Sequence, residues 1–329
     1  MAPADATADR PLGSPEGATH RPIGETFGDR LADRVAERRS QIVLGLDPDP
    51  ARLWPRAAEL AGPADDGSPA QRAARAVAAH CRLVLEAAAG EVVAVKPQVA
   101  CFERLGAPGW AALAEVAADA AERGLIVLAD AKRGDIDISA RAYADAFFGH
   151  LSTPFGDIPS LGADALTVNP LLGRDALAPL VEAARAQGAG LFVLVRTSNP
   201  GAADLQDLRL ADGRTVSEAI AALVDELGRP GIGASGLADV GAVTGATASD
   251  RLQALREAMP HAVLLLPGIG PQGGSGRDLA PAFAPGPAGG LVSASRAIVH
   301  AHEAAGGDPG DTARREAARL RELIWNLYA

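Results

Sequence analysis

Apolar residues in this chain fall into short unbroken runs set between longer stretches with helical spacing. The runs are Ile42–Leu46, Val92–Val95, Leu125–Leu128, Ala165–Val168, Leu191–Val195, Val240–Val243, Val263–Leu266 and Leu291–Val292. A strand with one face in water alternates apolar and polar side chains. Runs without that alternation predict strands covered on both faces, as in a parallel sheet. Helical patterns lie between them, near 70–89, 111–123, 139–151, 174–187, 215–227 and 250–259. Ahead of the first run, Phe27, Leu31 and Val35 share one stripe and predict an amphipathic helix from about Glu25 to Arg39. Ile298 to Glu303 and Thr312 to Leu327 read as closing helices.

Eight strand–helix units in a row predict a single-domain (β/α)8 TIM barrel over residues 23–329. A doubly wound parallel sheet is the alternative. Residues 1–22 are rich in Pro, Gly and charge and are expected to be a flexible tail. Segments 152–163 and 200–214 read as polar insertions containing Gly and Pro. The second directly follows a strand end, where barrel loops carry function.

In a barrel the chemistry belongs at the C-terminal ends of the strands, and polar residues gather at those positions here. The first strand ends in Asp47, the second in Lys96-Pro97-Gln98, the third in Asp130-Ala131-Lys132 and the fourth in Asn169-Pro170. The fifth ends in Arg196-Thr197-Ser198, the seventh in Pro267-Gly268-Ile269-Gly270-Pro271-Gln272, and the eighth in Ser293-Ala294-Ser295-Arg296. Any one of these would be an ordinary cap or turn. Their repetition around one end of a barrel points to a site.

The third strand end is the most specific. Leu128-Ala129-Asp130-Ala131-Lys132-Arg133-Gly134-Asp135-Ile136 sets alternating charges directly after an apolar strand. Burying charge is costly unless it is paired or put to use. On an extended strand residues two apart share a face, so Asp130 and Lys132 are expected to point into one site, with Asp135 projecting elsewhere. Asp47, Lys96, Asp130, Lys132 and Asp135 would hold one another ionised. A lysine among carboxylates keeps its proton and suits general acid chemistry. It is a poor Schiff-base nucleophile, which argues against a class I aldolase.

Gly268-Ile269-Gly270 and Ser295-Arg296 read as a phosphate cradle, because the loops after the last two strands usually hold phosphate in this fold. Glycines let backbone N–H groups approach the anion and Arg296 supplies a charged fork. Gly268 to Gly273 literally matches G-x-G-x-x-G, but Pro271 interrupts it and no acid follows at the dinucleotide spacing. His302-Glu303-Ala304-Ala305-Gly306 lacks the second histidine of a zinc-protease helix, and no Cys/His metal spacing is present.

Bulk properties narrow the field further. A net charge of -10 disfavours nucleic-acid or anionic-membrane surfaces. The two cysteines, Cys81 and Cys101, form no C-x-x-C pair and are expected to be free thiols in a reducing cytoplasm. No run reaches the roughly 18 apolar residues of a membrane span, and no secretory leader is expected.

Asp130-Ala131-Lys132-Arg133-Gly134-Asp135-Ile136 resembles the D-x-K-x-x-D-I signature of the orotidine 5'-phosphate decarboxylases. With Val95-Lys96-Pro97-Gln98 and Val292-Ser293-Ala294-Ser295-Arg296-Ala297-Ile298, the likeness is to the longer bacterial (type 2) subgroup and spans roughly Phe27 to Ile298. The resemblance implies decarboxylation of orotidine 5'-phosphate without cofactor or metal. It implies that Lys132 protonates C6 of the pyrimidine and that Asp130 sits against the departing carboxylate. Asp135 would reach the ribose in a partner subunit, making a homodimer with shared sites. Lys96 and Asp47 would bind ribose hydroxyls and Ser198 the pyrimidine edge. Gly270, Gln272 and Arg296 would hold the phosphate, with Pro267, Gly268 and Ser295 beside them. The family usually has Thr where this chain has Ser139. The hydroxyl survives, so the resemblance implies a tuned cross-subunit contact there. The rival expectations are a Mg2+-dependent sugar-phosphate enzyme of the same barrel group and a catalytically silent nucleotide-binding barrel.

Overall fold

The computed structural model describes residues 25–63, 67–245, 249–268 and 276–328. The expected tail therefore lies outside the described residues. The strands are β1 Ile42–Leu46, β2 Ala94–Pro97, β3 Ile126–Arg133, β4 His150–Thr153, β5 Gly156–Pro159, β6 Ala165–Val168, β7 Gly190–Arg196, β8 Val240–Thr244, β9 Leu264–Pro267 and β10 Gly290–Ala294. Eight of them close into a barrel in the order β1-β10-β9-β8-β7-β6-β3-β2, and every barrel pair is parallel. The barrel expectation holds, and the doubly wound sheet is ruled out by the pairing of β1 with β10.

Why the strands read as unbroken apolar runs is now visible. Successive side chains point to opposite faces. Ile42, Leu44 and Leu46 pack outward in one core with the surrounding helices. Val43, Ala94, Ile126, Leu128, Ala165, Phe192, Leu265 and Leu291 point inward and form a second core. Neither face meets water.

The helix Phe27–Arg38 completes that inner core from below. Phe27, Leu31 and Val35 lie in the same cluster as the inward strand residues. The Phe27 ring meets Phe192 edge-on at 6.0 Å. A Cβ on Gly190 would come within 2.5 Å of the Phe27 ring, so only glycine leaves room for this plug. Arg30 anchors the helix, donating to the Gly188 carbonyl at 2.6 Å and pairing with Asp164 at 2.9 Å.

Two elements differ from the sequence pattern. The helix expected over 139–151 runs instead from Asp137 to Phe147. Gly149, at φ 71, lies just past its end, and the chain then forms the antiparallel hairpin β4–β5, which takes up much of the polar insertion. Leu151 faces Ile158 across this hairpin, and the Ser152 hydroxyl donates to Asp157 at 2.7 Å. The hairpin precedes β6, so it stands at the end of the barrel opposite the strand C-termini. The helix expected from 111 begins earlier, at Ala107. Pro108 lies in its first turn, where a missing N–H costs nothing.

Candidate active site

The strand alternation carries directly into the site. The parity that turns Ala94, Leu128 and Ala165 inward also turns Lys96, Asp130 and Thr167 inward, one step nearer the strand C-termini. Asp130 stands at the centre and is buried. Its Oδ2 accepts from Lys96 Nζ at 2.7 Å and from Gln98 Nε2 at 3.0 Å. Its Oδ1 accepts from Lys132 Nζ at 2.6 Å and from Thr167 Oγ1 at 2.9 Å. Four donors saturate the carboxylate.

Burial alone would push the Asp130 carboxyl toward its neutral form. The Lys96 and Lys132 charges and their hydrogen bonds overcome that penalty and hold it down at about 2. Asp130 is thus an anion at neutral pH. The two lysines differ in exposure: 10% of the Lys96 side chain is accessible, against 46% for Lys132. Lys96 is locked within the cage, whereas Lys132 opens onto the barrel mouth.

The expected sharing of one site by Asp130 and Lys132 is met, but not by plain strand geometry. Lys132 has φ 50, in the left-handed region. The β3–β6 register passes from Ala129↔Leu166 to Arg133↔Val168. Three β3 residues therefore oppose the single residue Thr167, a bulge that re-aims Lys132. Past it, Arg133 pairs with Glu103 and lies 5.4 Å from the Tyr143 ring centre.

Asp135 does not join this cage within one chain. Its carboxylate accepts from the Ile136 backbone N–H at 2.8 Å. Ser139 is exposed in the first turn of the helix Asp137–Phe147. Both stand at the rim, beside Ile136 and Ile138, which are 50% and 87% exposed.

Other predicted residues gather across the mouth. Asp47, Ser295 and Arg296 line one cleft between the ends of β1 and β10, with Arg52 and His300. A Cβ on Gly45 would lie 2.7 Å from Ser295 Cβ, so glycine lets these strand ends close together. Ser198 sits against Gly245, where a Cβ would meet its Cα at 2.7 Å. Gly268, at φ 97, faces Ser198 as well and follows Pro267 at the end of β9. Gly270 and Gln272 lie outside the described residues. The 200–214 segment folds back on the Ser198 loop. Arg196 forms a two-pronged pair with Asp207 at 2.9 and 3.0 Å, and Gln206 Oε1 accepts the Thr197 N–H at 2.8 Å.

A family model described as Orotidine 5'-phosphate decarboxylase / HUMPS family matches residues 40–307. The chain belongs to this family. Orotidine 5'-phosphate decarboxylase of Rhodopirellula baltica is 47% identical over 254 residues, 76% of this chain and 83% of the relative. That of Deinococcus radiodurans is 49% identical over 242 residues, 73% of this chain and 82% of the relative. Among solved structures, a Streptomyces avermitilis protein provisionally assigned as orotidine 5'-phosphate decarboxylase superposes with a TM-score of 0.73 at 34% identity, covering 92% of this chain and 96% of its own.

Membership of the orotidine 5'-phosphate decarboxylase family does not itself reveal two cage members that the sequence reading passed over. Gln98 was in view only as part of a strand end. Thr167 lay inside an apolar run. The signal that finds both is parity: each stands where an inward position reaches the strand terminus.

Proposed function

We propose that this chain converts orotidine 5'-phosphate to UMP and carbon dioxide in pyrimidine biosynthesis. The observation that carries the reading is the cage in which Asp130 holds Lys96 at 2.7 Å and Lys132 at 2.6 Å. Breaking the bond between C6 and its carboxylate leaves an electron pair on C6. No ring carbonyl is placed to delocalise it in the usual way, so the site must stabilise the charge electrostatically. Lys132, fixed by Asp130 and open to the mouth, supplies that field and then passes its Nζ proton to C6. Asp130 faces the departing carboxylate. Its repulsion of the bound carboxylate adds ground-state destabilisation.

Lys96 and Asp47 bind the ribose hydroxyls and Ser198 the pyrimidine edge. Pro267, Gly268, Gly270, Gln272, Ser295 and Arg296 receive the phosphate. Binding energy from this remote group is used in the transition state. A second copy of the chain completes the site, its Asp135 and Ser139 reaching the neighbouring ribose. The position of both residues at an apolar rim supports that homodimer. The free thiols Cys81 and Cys101 support a reducing cytoplasmic setting.

The test is loss of pyrimidine absorbance on mixing the enzyme with orotidylate, with and without EDTA. Turnover in both supports the decarboxylase. Binding without turnover points to the silent nucleotide-binding barrel. Mg2+-dependent action on a sugar phosphate points to the other rival.

A further inference from the structure

From the β3–β6 bulge we infer that Thr167 is a positioning residue for this reaction, holding the proton donor Lys132 and its counterion Asp130 in one geometry through a single hydroxyl; this rests on the decarboxylase reading above. Thr167 is buried, at 1% exposure, on β6. Its Oγ1 accepts the backbone N–H of Lys132 at 3.0 Å and donates to Asp130 Oδ1 at 2.9 Å. The same Oδ1 takes the Lys132 ammonium at 2.6 Å. One oxygen therefore closes a ring through the backbone and the side chain of Lys132.

The ring answers two physical needs. At the bulge the β3–β6 ladder skips from Ala129 to Arg133, and the half-buried Lys132 N–H needs a partner that the ladder does not supply. Thr167 takes the Lys132 N–H that the ladder does not. Lys132 also sits at φ 50, a strained backbone for a side chain that is neither Gly nor Asn, and such strain persists only where the surroundings enforce it. The hydroxyl supplies that enforcement. It also fixes which proton goes where. With Oγ1 accepting from the amide, its own hydrogen points to Asp130 and favours the carboxylate. The charged groups facing Asp130 are Lys96 from β2 and Lys132 from β3; Thr167 and Gln98 are its neutral donors.

Thr167→Val keeps shape and removes the hydroxyl, while Thr167→Ser keeps the hydroxyl and removes the methyl group. The expected result with orotidylate is a fall in kcat of about ten- to a hundredfold for T167V with KM within about threefold, and recovery of most of kcat in T167S. A second reading needs no turnover. Acid unfolding of T167V should begin at higher pH than that of wild type or T167S, because Asp130 has lost a donor to its charged form. Wild-type kcat in T167V overturns the inference whatever its acid transition, as does equal impairment of T167S and T167V. Failure of the wild-type enzyme to turn over orotidylate would instead overturn the decarboxylase reading, leaving the acid transition to decide the role of Thr167.

Discussion

Lys132 Nζ lies 2.6 Å from one oxygen of Asp130, while Lys96 occupies the other oxygen at 2.7 Å. One buried carboxylate therefore aims two ammonium groups, and only that of Lys132 opens to the mouth. Replacing Lys132 by Ala is expected to abolish turnover, by at least about 10³-fold, while the thermal unfolding profile stays cooperative. Steady-state assay alongside circular dichroism checks this, and near-normal activity would remove Lys132 as the donor.

Acid stability follows from the same carboxylate. Asp130 is depressed in the fold from an ordinary 3.8 to about 2. A depressed acid stabilises the fold at pH values above its unfolded pKa and loses that contribution as pH falls through the folded one. The contribution, about 2 kcal/mol, should therefore vanish between about pH 4 and pH 2. Melting temperatures across that window should drop more steeply for wild type than for Asp130→Asn. That variant should start lower by about 3–5 kcal/mol because the buried Lys96 loses its counterion.

Arg296 opens the short helix after β10 and lines the cleft with Asp47 and Ser295. Arg296→Ala is expected to raise KM for the phosphorylated substrate by about 10- to 100-fold, with the unphosphorylated nucleoside unaffected. An unchanged KM would remove Arg296 from the phosphate site.

Asp135 and Lys132 can be tested as a cross-subunit pair by mixing inactive chains. If a partner's Asp135 serves each Lys132, half of the dimers reassembled from Lys132→Ala and Asp135→Ala chains carry one intact site. About a quarter of wild-type activity should return. No recovery after verified subunit exchange would mean that both residues act within one chain.

Much of this was legible in the chain because strand burial is local information. A residue run covered on two faces is apolar throughout, so all eight barrel strands stand out. The charges of Lys96, Asp130 and Lys132 stand out because charge inside an apolar context is rare. Thr167 did not, since a hydroxyl adjacent to Leu166 and Val168 looks like any β-branched strand residue. Its meaning depends on the β3 bulge, which is a relation between two strands and not a property of either. The end of the helix Asp137–Phe147 was also hidden. Gly149 stops a pattern that Leu151 continues in sequence, yet Leu151 pairs with Ile158 in the hairpin.

Among the described residues, the stopper formed by Phe27, Leu31 and Val35 leaves the mouth at the strand C-termini as the one doorway. Nucleotide entry, gas escape and product departure all share it, so traffic through that opening must be sequential.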